Sequence, residues 1–120
     1  MKTLFLLIVL IESLSFASHA NSMKTASLSK DIFIPPNAQR INLSDNCYLK
    51  VSTFDSSDVI KLKQGEMLKF YKIIHESILN KEIYTIHFDS PIVNALVCLT
   101  DNESELEFAY RAKKAGLILN

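Results

Sequence analysis

Glycine is nearly missing from this 120-residue chain, which has only Gly65 and Gly116. Loops that cradle phosphates need backbone conformations that glycine supplies, so P-loop and dinucleotide-binding chemistry is excluded. An excess of one charge is missing as well. Thirteen Lys and Arg balance thirteen Asp and Glu, for a formal net charge of zero. That balance provides no long-range field to collect phosphate backbones or anionic lipid, and it argues against nucleic acid and membrane surfaces as partners. Cysteine is limited to Cys47 and Cys98. The pair forms no Cys-x-x-Cys motif, which argues against redox catalysis, and it supplies only half of a closed zinc site. No apolar stretch is long enough to cross a bilayer as a helix. Nucleophile signatures are also absent, with no Gly-x-Ser-x-Gly elbow and no Ser-x-x-Lys in an activating context. The reading therefore leans away from an enzyme, and no cofactor is indicated.

The most informative feature present is the start of the chain. Lys2 precedes an apolar run from Leu4 to Ile11, followed by polar residues and a small-residue end at Ser18-His19-Ala20. This is the three-part pattern of a secretory signal peptide over residues 1–20, with cleavage after Ala20 or after Ala17. It predicts an exported product, periplasmic or secreted, with no membrane insertion after cleavage. About 100 residues would remain, enough for one small domain of marginal stability. In an oxidising compartment the lone cysteine pair predicts a Cys47–Cys98 disulfide closing a loop of about fifty residues.

The rest of the chain reads mostly as β. Residues 21–30 are polar and small without periodicity, as in a flexible leader, which places the domain at 31–120. Ile32-Phe33-Ile34 is a short apolar run stopped by Pro35-Pro36, suited to an edge strand or an extended arm, with a turn at Asn37-Ala38. Arg40 to Leu43 alternates weakly. From Cys47 the alternation is clearer: Cys47, Leu49 and Val51 share one face and Tyr48, Lys50 and Ser52 the other, which points Cys47 inward. Asp55 to Asp58 is a turn cluster before a short strand at Val59 to Leu62, and Gln64-Gly65 is a further break.

Met67 to Ile74 fits a strand better than a helix. A turn at Asn80-Lys81 leads to the cleanest strand, Ile83 to Phe88, with Tyr84, Ile86 and Phe88 on one face and Thr85 and His87 on the other. Ile92 to Leu99 is apolar on both faces, as expected of a central strand. For residues 103–115 two readings remain open. Alternating Leu106, Phe108, Tyr110 and Ala112 fit a strand. The better-supported reading is a helix, with a Thr100/Glu103 capping box, acids first, bases last and Gly116 as a left-handed cap. The sum is a small antiparallel β-sandwich or barrel with one C-terminal helix.

Two constellations could carry chemistry. Tyr48 and Tyr71 beside Lys50, Lys69 and Lys72 would form an amphipathic patch of the kind used in protein or glycan recognition. A partner would then be another protein or a cell-surface component. Alternatively, His75, His87 and Asp89 would form a two-histidine, one-carboxylate metal site, if the strands carrying them pair in the right register. A third reading is a structural subunit of a surface assembly, using Ile32-Phe33-Ile34 as an exchangeable strand. Asn42-Leu43-Ser44 and Asn102-Glu103-Ser104 match the glycosylation acceptor pattern, which matters only in a eukaryotic secretory pathway.

Overall fold

The computed structural model describes residues 23–52 and 57–120. The expected signal peptide, the first two residues of the expected leader and the Asp55-Ser56 part of the expected turn lie outside them. Within them the chain is mostly antiparallel β: a curled half-barrel sheet, a small second sheet and one C-terminal helix.

In chain order the strands are β1 (Lys24–Leu28), β2 (Ile32–Ile34), β3 (Arg40–Asn42), β4 (Cys47–Val51), β5 (Ile60–Leu62), β6 (Met67–Ile78), β7 (Lys81–Phe88) and β8 (Val93–Thr100). Helix α1 (Glu105–Ala115) and strand β9 (Leu117–Leu119) follow. The large sheet runs β3-β4-β8-β7-β6-β1-β9, and β2 pairs with β5 in the small one. Every pairing is antiparallel.

The alternation read from sequence sets the inner face. Cys47, Leu49 and Val51 of β4 are buried, as are Tyr84, Ile86 and Phe88 of β7, and they join one core with Leu96, Cys98, Phe70 and the inward residues of β2 and β5. The expected disulfide is present. Cys47 and Cys98 are direct cross-strand partners with Cα atoms 4.2 Å apart. The Leu99 N–H donates to the Asn46 carbonyl at 2.8 Å, marking the cysteines as a non-hydrogen-bonded pair, the closer of the two antiparallel pair types.

Residues 103–115 settle as a helix because that conformation buries the right residues. Phe108, Ala112 and Ala115 form a buried stripe, whereas the strand reading would turn inward Leu106 and Tyr110, which are 83% and 54% exposed. The N-terminal cap corrects the expected one. Ser104 is the cap, its Oγ accepting from the Glu107 N–H, while Thr100 ends β8 and donates its hydroxyl to the Asn102 carbonyl. Helix formation therefore starts at Glu105 rather than Glu103. Gly116 takes the left-handed cap at φ 111°.

Three further segments differ from expectation. The predicted flexible leader carries β1, held between β6 and β9, with Ala26 and Leu28 buried. Two inward residues among small polar ones are too faint a pattern to read without those partners. β9 lies beyond the predicted elements because three apolar residues after the helix are too short a run to assign without β1 as their partner. The hairpin turn falls at Leu79-Asn80, both at positive φ (51° and 63°), rather than at Asn80-Lys81. This two-residue loop extends β6 to Ile78 and pairs Ile78 with Lys81. At Pro35 the expected turn forms, with the Ala38 N–H donating to the Pro35 carbonyl and Asn37 at φ 62°. No helix among the described residues is long and apolar enough to cross a membrane.

Candidate functional site

Strand order decides which side chains meet. On the inner face, one row crosses four strands: His75 on β6 pairs with Tyr84 on β7, Tyr84 with Cys98 on β8, and Cys98 with Cys47 on β4. The His75 and Tyr84 rings stack at 4.6 Å, and Phe108 of the helix stacks on the other side of Tyr84 at 5.0 Å. Burial raises the Tyr84 phenol above its ordinary pKa, with Glu105, Glu82 and Glu103 adding to the effect.

Beside this row Glu82 is a hub. It accepts the Ser77 hydroxyl at 2.5 Å and sits 2.5 Å from His75 Nε2. These contacts, Ser77 first and His75 second, hold the Glu82 carboxyl below the usual carboxylate range. Serine and histidine both address the same carboxylate oxygen, Glu82 Oε2. Residues of both hairpin strands converge on one carboxylate, which makes the cluster a cross-strand clamp in the distal half of the hairpin.

The same register overturns the proposed metal site at His75, His87 and Asp89. His75 shares the inner face with Tyr84, whereas His87 points to the outer face and Asp89 follows the end of β7. Among the described residues, no group of three His, Cys, Asp or Glu side chains is placed to hold a metal ion.

The five residues of the expected patch all belong to the outer face. Tyr48 and Lys50 come from β4, and Lys69, Tyr71 and Lys72 from β6. Strands β8 and β7 lie between them, which separates the two groups by about 14 Å at ordinary strand spacing. What links them is a second transverse row. Arg40 on β3 pairs with Lys50, Lys50 with Ala95 on β8, and Ala95 with His87 on β7. His87 faces a bulge in β6, between Phe70 paired with Phe88 and Ile73 paired with Ile86, where Tyr71 and Lys72 sit.

A second bulge lies at the other end of the row. Lys50 pairs with Ala95 but Val51 with Val93, so Asn94 is the extra residue and is exposed. Each bulge bends its strand and re-aims a side chain. The outcome is that Asn94, Tyr71 and Lys72 all face outward, with Tyr71 57% exposed.

Arg40 is fixed from two sides: its Nε–H donates to Asn42 Oδ1 at 3.1 Å, and its guanidinium lies 3.6 Å above the Tyr48 ring. An open hollow of about 410 Å3 is lined by Gln39, Arg40, Tyr48, Lys50, Val51 and Asn94. Among the described residues, ion pairs join Lys61 to Asp31 and Arg111 to Asp101 and Glu107; none involves Arg40, Lys50, Lys69 or Lys72.

The patch read from sequence omits Arg40, His87 and Asn94, whose places depend on strand order and bulges. Compared with protein-family models, with curated proteins and with solved structures, the chain has no match.

Proposed function

We propose that the protein is an exported, disulfide-stapled, non-enzymatic binding domain that holds another protein or a cell-surface component against the outer face of its sheet. One observation carries this reading: the two bulges at β6 and β8 fall on the same transverse row and turn outward Asn94, beside Arg40 and Lys50, and Tyr71 and Lys72 at the far end of the row. Bulges interrupt a ladder, so their coincidence on one basic and aromatic row is better explained by binding than by folding. Export is supported by the leader pattern of residues 1–20 together with a buried disulfide, which persists in oxidising compartments.

The test is capture in the native compartment with a photo-crosslinker at Lys69. A discrete adduct is expected, lost in the Tyr71→Ala/Lys72→Ala variant and retained in Leu106→Ala, which alters an exposed site on the helix. No adduct under any condition, or one indifferent to the double substitution, rejects the binding surface. Export is tested separately by intact mass. A product lacking residues 1–17 or 1–20 with both thiols blocked is expected, and the full chain with two alkylatable thiols rejects it.

A further inference from the structure

The outer-face hollow has a chemistry of its own. Arg40 and Lys50 are direct cross-strand partners. Like charges placed opposite each other destabilise a sheet, and no carboxylate within ion-pair distance relieves this pair among the described residues. The fold thus sets two cationic side chains at opposing positions of the outer face, both lining the hollow, where one bound anion would be attracted to both. Arg40 is also prepared for one. Its hydrogen bond to Asn42 and its stacking on Tyr48 fix the guanidinium plane, as bidentate oxyanion recognition requires.

The other walls narrow the ligand class. Gln39 and Asn94 contribute carboxamides, which both donate and accept. Sulfate, fully ionised, accepts only and would leave their carbonyl oxygens unused, whereas hydroxyls match both functions. A ligand carrying an oxyanion and several hydroxyls, a sugar acid, satisfies the whole lining. The row then continues through His87 to Tyr71 and Lys72, about 14 Å from Lys50 at ordinary strand spacing, farther than one sugar ring reaches. A polymer laid across the strands would follow it. An acidic peptide fits less well. Peptides gain their main-chain bonds by running along a sheet edge, and this row leaves the edge strand β3 at Arg40 to cross β4, β8 and β7, whose backbone groups already pair on both sides.

We infer that the hollow at Arg40, Lys50 and Asn94 is the subsite for the carboxylate of an acidic, uronate-containing glycan whose chain runs across the outer face toward Lys72. This rests on the proposed binding role and names its ligand class.

The experiment is titration of the mature protein with a galacturonate hexamer, followed by amide chemical shifts and calorimetry. Inorganic sulfate, a neutral glucose hexamer and a hexaglutamate peptide are the comparison probes. Binding of the galacturonate oligomer is expected to move Gln39, Lys50, Asn94 and His87 and to weaken with salt. Arg40→Gln and Lys50→Gln should each cost about tenfold in affinity, and Arg40→Lys should fail to restore it because the fork is lost. Folding of each variant is checked by its thermal midpoint.

Three results would overturn the inference: no binding of the galacturonate oligomer, equal binding by the Arg40 and Lys50 variants, or hexaglutamate or sulfate binding as tightly as the oligomer. Capture of a partner at Lys69 while the galacturonate oligomer leaves the hollow unmoved would sink this inference alone and leave the broader binding role standing.

Discussion

Across the same four strands, β4, β8, β7 and β6, the inner face aligns Cys47, Cys98, Tyr84 and His75, while the outer face aligns Lys50, Ala95, His87 and the Tyr71–Lys72 bulge. The inner row is closed in on itself: a covalent bond, two ring stacks and a carboxylate hub use its groups, and the helix covers it. The outer row sets two cations side by side and lets bulges interrupt the ladder. One register thus supports two kinds of surface. Stability should reside in the first row and recognition in the second, so substitutions on the two faces should separate.

The largest separation is expected at Phe108, which is fully buried and stacked on Tyr84. Phe108→Ala should destabilise the protein by about 4 kcal/mol, by lost transfer energy and the cavity left behind. Lys72→Ala, at an exposed position, should stay within about 0.5 kcal/mol of the wild type. Urea denaturation of both decides the matter. Similar midpoints for the two variants would remove the distinction between faces.

Next in size is the disulfide. It joins strands that already pair, so its main effect is on the unfolded chain, where it closes a loop with a sequence separation of 51. Cys47→Ala/Cys98→Ala should lose about 3 kcal/mol, with the chain still folding around the same strand order. Hydrogen exchange would show β4 and β8 opening at lower free energy than in the wild type. An unchanged urea midpoint would mean that the staple adds nothing to the inner row.

How much of this could be read from the residues depends on whether a feature is local. The inward set of β4 and of β7 and the cap at Gly116 follow from alternation or from one conformational demand, and all are found. Features that need a partner strand are not legible. β1 shows only Ala26 and Leu28 as inward residues, and neither bulge has a signature in its own strand. The Ser77–Glu82–His75 clamp exists because the turn is Leu79-Asn80, and leucine is not a residue that announces a left-handed turn. The candidate site was half visible for the same reason. Tyr48, Lys50, Lys69, Tyr71 and Lys72 can be named from composition and alternation, but Arg40, Asn94 and His87 join them only through the order β3-β4-β8-β7-β6.

Leu79 gives a smaller effect, of opposite sign. It is 91% exposed and sits at φ 51°, a conformation that disfavours β-carbon-bearing residues other than Asn and Asp. Leucine there gains no burial and incurs strain. Leu79→Gly should stabilise the protein by about 0.5 to 1 kcal/mol, since the relieved strain outweighs the added freedom of the unfolded chain. A rise in thermal midpoint is the expected reading, and a fall would show that the leucine side chain supports the hairpin.

The smallest effect concerns acid, and it distinguishes the inner row from the rest of the fold. Two carboxyls are held below their ordinary range: Glu82 by Ser77 and then His75, and Asp31 chiefly by the Gln64 backbone N–H, which it accepts at 2.7 Å, with Lys61 adding to it. A carboxyl with a lowered folded-state pKa binds fewer protons folded than unfolded. Its stabilisation is therefore complete above the unfolded value, near 4 for these groups, and is lost as pH falls through the lower folded value. Urea midpoints should accordingly fall on acidification below pH of about 4. Ser77→Ala removes the first cause at Glu82 and should flatten part of that fall, whereas Lys61→Gln, acting on the lesser influence at Asp31, should flatten it less. If Ser77→Ala leaves the acid limb as steep as in the wild type, Glu82 is not the hub of the distal hairpin, and the inner row ends at Tyr84.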